Sequence, residues 1–298
     1  MDLQRDRLSH RYRQQLYKGM SAFVGYCCVH GLRVSQLVQN AELVDEAFID
    51  FIQLQFKSGK KLWISKAAVL SIQTMHRNLK GSLRPAWDSI LSWKLRNSVH
   101  SRRPMQLIVL QACVKYSLLA AFSLDRSNAA MWIIWGICLQ IGWWGLMRPS
   151  DLYQIQRRHV RIPTSRYHPY VLICTIMNSK NRAYMGRLQV AQVACDPVVK
   201  WASWYLKSVP DSWHIWPFTQ TRFKECLQSA LKHLNIAQLR LTPASLRAGG
   251  ASHMFERKTP TDRMQVLGRW TSTRSMHSYL QEIEANITSR RDRKSVVR

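Results

Sequence analysis

Acidic residues are scarce in this sequence of 298 residues, which has 17 Asp and Glu against 44 Lys and Arg and a formal net charge of +27 at pH 7. An excess of this size cannot be neutralised within the chain, so it predicts an external polyanion: nucleic acid, an acidic membrane surface or an acidic protein. A disordered basic tail is excluded, because 46% of the residues are hydrophobic and 12 are Trp. Nucleic acid is the leading candidate.

The sequence also lacks the usual signatures of disulfide, zinc and nucleotide sites. Its seven cysteines include no Cys-x-x-Cys pair, and no Gly-x-x-x-x-Gly-Lys-[Ser/Thr] or Gly-x-Gly-x-x-Gly string occurs. The acidic residues form no recognisable metal-binding triad, which disfavours two-metal chemistry. We therefore expect a protein that needs no metal and no cofactor. The first twenty residues lack the apolar core of a secretory signal, so we expect a chain that is not secreted.

Residues 129–147 form a long uncharged stretch that meets the length test for a membrane span. Its three glycines lower its helix propensity. It also continues directly into Arg148 without an aromatic belt or a charge asymmetry between its flanks. These features favour a buried core helix, with a membrane span as the alternative.

Hydrophobic patterns predict two domains. Three segments near the start carry apolar residues at helical spacing: 45–56, 65–79 and 85–96. Residues 96–104 are polar and basic and end in a proline, which is typical of a linker. We therefore expect a helical domain over residues 1–98 and a second domain over residues 99–298.

The second domain is expected to combine helices with a small sheet. Helical segments are predicted at 105–122, 129–147, 197–206 and 223–234, and another begins at 242. Residues 170–177 and 186–193 favour a β-hairpin with a basic tip. The predicted fold class is mainly α with a small β-hairpin or sheet, an α+β fold.

Arginine, lysine and tyrosine together suffice for metal-free attack on a phosphodiester if they converge in space. A deprotonated tyrosine phenol is a nucleophile, and a lysine can protonate a leaving 5′ oxygen. Guanidinium groups bind two phosphate oxygens in a bidentate fork. The question is which of these residues converge.

Four segments carry a resemblance to a known family. Residues 145–152 read Gly-Leu-Met-Arg-Pro-Ser-Asp-Leu, residues 245–251 read Ser-Leu-Arg-Ala-Gly-Gly-Ala, residues 267–270 read Leu-Gly-Arg-Trp, and Tyr279 follows Trp270 by nine positions. In order and spacing they resemble the two arginine boxes, the Gly-[His/Trp] box and the nucleophile of the tyrosine recombinase (phage integrase) family, and within it the crypton-like eukaryotic branch. Lys180, on the predicted hairpin tip, matches the family's lysine.

The resemblance implies a fold and a reaction. Residues 1–98 would be a helical core-binding, SAM-like domain, and residues 99–298 a tyrosine-recombinase catalytic domain. Together they would clamp a DNA duplex, cleave a strand and rejoin it through a 3′-phosphotyrosyl intermediate. The chain would then be an enzyme, a site-specific recombinase or integrase of a mobile element.

The resemblance also implies a role for each matched residue. Tyr279 would attack the scissile phosphate, and Lys180 would protonate the leaving 5′ oxygen. Arg148 and Arg247 would neutralise the charge that develops on the non-bridging oxygens.

Two further matched residues would support these four. Trp270 would act on the phosphate through its indole N–H and its packing, and Asp151 would orient Arg148 without touching DNA. Outside this pattern, Trp270 would be interpreted as a core residue and Arg148 as a cap on the end of an apolar helix.

The second arginine box departs from the family at one position. The family has a histidine three residues before the arginine, and here that position is Ala244. Alanine can neither hydrogen-bond the phosphate nor move a proton, and loss of one transition-state donor costs on the order of 10²–10³ in rate. His253 and His277 are candidate substitutes. The alternative function is therefore a catalytically weakened or domesticated DNA-binding relative.

The expected partner is double-stranded DNA. The resemblance implies a homo-oligomer, a tetramer on paired sites, and a nuclear location if the chain is eukaryotic or a cytoplasmic one otherwise. No membrane is expected, and a membrane-embedded basic protein is the least favoured alternative. Residues 290–298 form a basic end for which docking on a neighbour, nuclear localisation and further DNA contact are all open.

Overall fold

A computed structural model describes residues 8, 10–96, 103–164, 170–177, 179, 186 and 188–276 of the chain. These residues are mainly helical with a small antiparallel sheet, which confirms the predicted fold class. The chain divides into two compact units, Met1–His100 and Ser101–Arg298.

The described part of the first unit is helical. Its helices are α1 (His10–Val29), α2 (Val34–Leu37), α3 (Ala41–Lys57), α4 (Leu62–Met75) and α5 (Arg84–Arg96), with a 3₁₀ turn at Arg77–Leu79. Helix α3 begins earlier than the predicted 45–56, because the Asn40 side chain caps it by accepting a hydrogen bond from the Glu42 N–H at 2.9 Å. Asp45 is instead buried within α3 and accepts a hydrogen bond from the Ala86 N–H of α5 at 3.0 Å.

Aromatic stacking and one close helix contact hold the first unit together. The Phe23 ring stacks on Phe48 at 4.0 Å between centroids and meets the edge of Phe51 at 5.4 Å. Helices α1 and α4 pack closely at Gly19, where a Cβ would lie 2.5 Å from the Ala68 nitrogen. A larger residue at Gly19 would force these two helices apart.

The second unit is built around a buried helix. Its helices are α6 (Leu107–Leu119), which continues as a π-turn at Ala120–Leu124, then α7 (Ala129–Trp144), α8 (Pro149–Gln154), α9 (Asp196–Lys207), α10 (Gln220–His233), α11 (Ala244–Glu256) and α12 (Thr261–Gly268). Helices α6, α9, α10 and α11 pack against α7, which buries Trp135, Trp143 and most of its other side chains. Helix α7 is thus the core helix predicted over residues 129–147, and it ends at Trp144.

One helical segment within the described residues, Leu107–Leu124, is long and apolar enough to cross a membrane by length and composition, and 33% of it is buried. It is not the stretch that the sequence pattern singled out, because α7 has only 16 residues.

The described strands form one antiparallel sheet in the order β1 (Val160–Arg161), β2 (Leu172–Ile176) and β3 (Gln189–Val193). The pairing of Cys174 with Ala191 confirms the predicted hairpin between β2 and β3. The two-residue strand β1 was not predicted, because it is too short to show a strand period. Alternate residues of β2 and β3 face the core, so the sheet is buried on one side.

Candidate active site

The first arginine box forms the turn between α7 and α8. Helix α7 ends in a Schellman-type turn in which the Met147 N–H donates to the Gly142 carbonyl at 2.9 Å. Leu146 adopts the left-handed conformation in this turn, with φ 48°, and its side chain is buried in a small cluster with Trp270. The turn leads directly to Arg148, the N-cap residue of α8.

Arg148 lies beside a buried carboxylate. Its Nη1 is 3.7 Å from Asp151 Oδ2, and it donates to Ser179 Oγ at 3.5 Å. The Arg148 side chain is 20% exposed and that of Asp151 only 2%. Arg148 therefore has a face open to solvent, whereas Asp151 is almost fully buried.

A second arginine, to which the sequence pattern assigned no role, lies on the other side of Asp151. Arg269 is 3% exposed, and its Nη2 is 3.8 Å from Asp151 Oδ2. Its guanidinium also donates to the carbonyls of Gly145 at 3.3 Å and Leu146 at 2.9 Å, at the end of α7. Burial lowers the pKa of Arg269 to about 10; Asp151 opposes this shift and Arg148 adds to it. The cation that caps α7 is therefore Arg269, not Arg148.

Two glycines bring the second arginine box against the end of α7. A Cβ at Gly249 would overlap the Met105 carbonyl oxygen, and a Cβ at Gly250 would overlap the Trp143 carbonyl oxygen. Only glycine allows so close an approach of backbone to α11. The sequence Arg-Ala-Gly-Gly-Ala thereby fixes where α11, and with it Arg247, lies in the second unit.

Arg247 is buried against the Gly-Arg-Trp segment. Its Nη2 donates to the Gly268 carbonyl, and its guanidinium carbon lies 4.8 Å from the centroid of the Trp270 ring. The Trp270 ring in turn covers Gly268, where a Cβ would overlap it. Trp270 is itself buried in the cluster with Leu146 and Met276.

Both arginine boxes therefore contact the segment 268–270. Arg247 contacts it directly, and Arg148 reaches it through Asp151 and Arg269. The three described segments that the resemblance singled out are brought together although the first of them lies about a hundred residues of chain before the other two. We call this arrangement the arginine junction, formed by Arg148, Asp151, Arg247, Gly268, Arg269 and Trp270.

The β2–β3 hairpin also reaches the arginine junction. Ser179 accepts a hydrogen bond from Arg148 and donates one to Gln189 Oε1 of β3 at 2.7 Å. Both Ser179 and Gln189 are buried. Lys180, the next residue in the chain, lies outside the described residues.

The structure excludes His253 as a substitute for the histidine missing at Ala244. Ala244 is the first residue of α11, and His253 lies nine residues later on the same helix. That separation is a rise of about 13 Å and about half a turn in phase, so the two side chains lie on opposite faces. The His253 ring packs instead on Trp143 and Trp144, at 5.2 and 5.7 Å between centroids. His277, the other candidate, lies outside the described residues.

A cleft of about 1010 Å³ opens beside the arginine junction. Asp151, Ile176 at the end of β2, Arg158, His159 and His214 are among the residues that line it. In the part of the chain that the structure describes, no group of three or more His, Cys, Asp or Glu side chains could hold a metal ion.

No protein-family model and no curated protein matches the chain. Solved structures do. The XerH site-specific recombinase bound to palindromic difH substrate, in a post-cleavage complex, aligns over 82% of this chain and 70% of its own, with TM-score 0.57 and 10% identity. The Tn1549 transposon integrase in complex with transposon right end DNA aligns over 88% of this chain and 94% of its own, with TM-score 0.57 and 8% identity. The chain has the tyrosine-recombinase fold.

The arginine junction is assembled where α7 ends, α8 and α11 begin and α12 ends. Tyr279 lies outside the described residues, as Lys180 does. Arg269 is the residue of the junction that sequence reasoning missed. Its position between Gly268 and Trp270 was the only signal available, because its contacts with α7 are made across more than a hundred residues of chain.

Proposed function

We propose that this chain cleaves and rejoins DNA through a 3′-phosphotyrosyl intermediate, as a site-specific recombinase or integrase of a mobile element. The observation that carries the proposal is the arginine junction. Two arginines from distant segments are linked to the short segment that carries Trp270: Arg247 contacts it directly, and Arg148 shares the Asp151 carboxylate with Arg269. Two guanidinium groups fixed in advance suit the charge that develops on a phosphate under attack.

The two arginines differ in ways that suit different parts of this task. Arg148 keeps 20% of its side chain exposed and is restrained by Asp151 and Ser179, so it can meet a phosphate without leaving its partners. Arg247 is buried and stacked on Trp270. Its position is therefore set by packing before any DNA binds, and no reorganisation is needed during the reaction.

Chain connectivity supports the roles proposed for Tyr279 and Lys180. Met276 is fully buried in the cluster that contains Trp270, and the three residues from Met276 to Tyr279 span at most about 11 Å. Lys180 directly follows Ser179, which contacts Arg148. Tyr279 is thus linked by a short stretch of chain to Met276, a neighbour of Trp270, and Lys180 is linked directly to Ser179, a neighbour of Arg148.

The proposed step balances without an outside reagent. The Tyr279 phenol loses its proton to water as its oxygen forms a bond to phosphorus, the bond to the DNA 5′ oxygen breaks, and Lys180 supplies the proton that this oxygen takes up. The phosphotyrosyl bond keeps the energy of the phosphodiester, so attack by a DNA 5′-hydroxyl reverses the step. Asp151 positions Arg148, and Trp270 supports the phosphate.

Duplex DNA is the proposed partner. The XerH and Tn1549 integrase structures with this fold are complexes with DNA, and a net charge of +27 suits a polyanion. We further propose that residues 1–98 are the core-binding domain and residues 99–298 the catalytic domain. The proposed assembly is a tetramer on paired sites. We also propose that the chain belongs to the crypton-like branch and is nuclear if the host is eukaryotic.

Capture of a covalent adduct tests the proposal without knowledge of the target site. The protein is incubated with a pool of nicked duplexes of random sequence, and adducts that survive denaturation are isolated and sequenced. We expect the parent chain and the control Tyr17→Phe, at an exposed tyrosine, to form adducts, and Tyr279→Phe to form none. Arg148→Ala and Arg247→Ala should lose the adduct, whereas Arg263→Ala, an exposed arginine of α12, should retain it. Equal adducts from Tyr279→Phe would refute the mechanism.

The second candidate is a DNA-binding protein with weakened cleavage, and the observation that favours it is Ala244. His253 lies on the opposite face of α11 and cannot take over its role. The variant Ala244→His separates the two candidates. A rise in the adduct rate on the order of 10²–10³ would mark the parent chain as a slowed enzyme, whereas tight duplex binding with no adduct from either protein would identify a binding module.

A further inference from the structure

One carboxylate oxygen, Asp151 Oδ2, lies between two guanidinium groups. It is 3.7 Å from Arg148 Nη1 and 3.8 Å from Arg269 Nη2. The three groups carry a net positive charge. Because Asp151 and Arg269 are both buried and Arg148 is partly exposed, the face of this array that is open to solvent is cationic.

Sharing the carboxylate keeps Arg148 available for an anion. Opposite charges in a protein interior that are not shared draw together into short, bidentate hydrogen bonds of about 2.8 Å. At 3.7 Å, Arg148 is beyond hydrogen-bonding distance of Asp151 while it still reaches Ser179. Arg269 lies 3.8 Å from the same oxygen, so one carboxylate faces two guanidinium groups and its single negative charge cannot neutralise both.

Arg269 also fixes the backbone on which Arg148 is carried. It donates to the carbonyls of Gly145 and Leu146, in the turn that leads into Arg148. A guanidinium has five donors in a planar fork and can serve several acceptors at once, whereas the three donors of a lysine ammonium project from one nitrogen. The chain neighbours of Arg269 are Gly268 and Trp270, which hold Arg247.

We propose that Arg269 is a positioning residue. It orients Arg148 toward the scissile phosphate because it shares the Asp151 carboxylate with Arg148 and hydrogen-bonds the turn before Arg148. It does not touch DNA. Its catalytic consequence rests on the proposed function, but its effect on the position of Arg148 does not. The two parts are therefore tested by separate measurements.

The first measurement is structural and uses the protein alone. Crystal structures of the parent chain, Arg269→Gln and Arg269→Lys are compared. We expect the Arg148 guanidinium of both variants to leave Ser179 and to form a short, bidentate pair with Asp151. If one variant fails to fold, the other answers the question. An Arg148 that keeps its parent position in a folded variant would overturn the proposal.

The second measurement uses a duplex that the parent chain cleaves, with either a phosphate or a neutral methylphosphonate at the scissile position. On the phosphate, Arg269→Gln should slow adduct formation on the order of 10²-fold, and Arg263→Gln on the exposed face of α12 should not. A residue that acts through Arg148 matters less when the phosphate carries no charge. The defects of Arg269→Gln and Arg148→Ala should therefore shrink together on the methylphosphonate, and the double variant should be no slower than Arg148→Ala.

Other outcomes separate the proposal from the proposed function. One contrary result is that Arg269→Gln slows adduct formation equally on the phosphate and on the methylphosphonate, with an effect that adds to that of Arg148→Ala. That result would mean a general structural role and would overturn the proposal. If the parent chain forms no adduct, the proposed function fails. In that case a displaced Arg148 in the variant crystals still supports the positioning role, and an undisplaced one overturns it.

Discussion

The guanidinium carbon of Arg247 lies 4.8 Å from the centroid of the Trp270 ring, and the same ring covers Gly268, whose carbonyl accepts a hydrogen bond from Arg247. One aromatic side chain thus fixes both the arginine and the backbone group to which it is bonded. Removing the ring should affect the two together.

Trp270→Ala should destabilise the second unit by about 3–5 kcal/mol, the usual cost of truncating a buried tryptophan. Trp270→Phe keeps an aromatic face for Arg247 and fills part of the space, so its cost should be clearly smaller. Urea unfolding, monitored by far-UV circular dichroism of the helices and not by tryptophan fluorescence, measures both free energies. Equal losses of unfolding free energy in the two variants would show that an aromatic ring at this position does not stabilise the unit.

Gly249→Ala should be strongly destabilising, because its Cβ would overlap the Met105 carbonyl oxygen and would lie 2.6 Å from Trp143 Nε1. The matched control is Gly25→Ala in α1, where a Cβ meets nothing within 4 Å. There the better helix propensity of alanine should stabilise by about 1 kcal/mol. Thermal unfolding of both variants checks these opposite signs, and a tolerated Gly249→Ala would argue against the close contact between α11 and the residues around Met105.

Two residues with a left-handed backbone conformation should respond oppositely to substitution by glycine, one variant being more stable than the parent chain and the other less stable. Lys258, with φ 57°, is exposed after the end of α11, so Lys258→Gly should relieve strain and stabilise by about 1 kcal/mol. Leu146 has a similar φ of 48° but a buried side chain. Leu146→Gly should therefore be net destabilising, because losing a buried leucine costs about 2–5 kcal/mol. Denaturant midpoints of the two variants give the comparison.

Stability should fall as the pH is lowered below about 6.5, in part through His253. Burial, with a contribution from Arg257, lowers the pKa of His253, and Glu256 opposes the shift. A lowered pKa means that the unfolded chain binds the proton more tightly, so the stability present above the unfolded pKa is lost as the pH falls through the folded pKa. Unfolding free energies of His253→Gln at pH 7 and pH 5 should differ less than those of the parent chain. An unchanged pH dependence would contradict this origin.

DNA binding should depend strongly on salt. If about 6–10 phosphates are neutralised, the affinity for a duplex falls by about 10³–10⁵ between about 50 and 200 mM salt. Fluorescence anisotropy with a labelled duplex across that range measures the slope. A nearly flat response would contradict the interpretation of the net charge of +27 as a DNA-binding feature.

Local patterns in the sequence determined much of the architecture. The core helix α7, the β2–β3 hairpin and the mainly helical first unit follow from hydrophobic spacing, which needs only neighbouring residues to be visible. Helix ends were less well predicted, because caps such as Asn40 compete with other polar residues nearby. The segments that contain Arg148, Arg247 and Trp270 were also recognised from sequence, because their spacing along the chain is itself the signal.

Only the tertiary structure decided how those segments meet. Asp45, a plausible start of a helix from its sequence, caps α5 instead, through a contact made across about forty residues of chain. His253, one of two candidates to replace the histidine missing at Ala244, lies about two and a half turns further along α11 and on its opposite face. Arg269 reaches the end of α7 and Asp151 from a separate helix. Such contacts produce no periodic pattern in the sequence, because they depend on which helices pack together. In this unit the close packing depends on the glycines of α11.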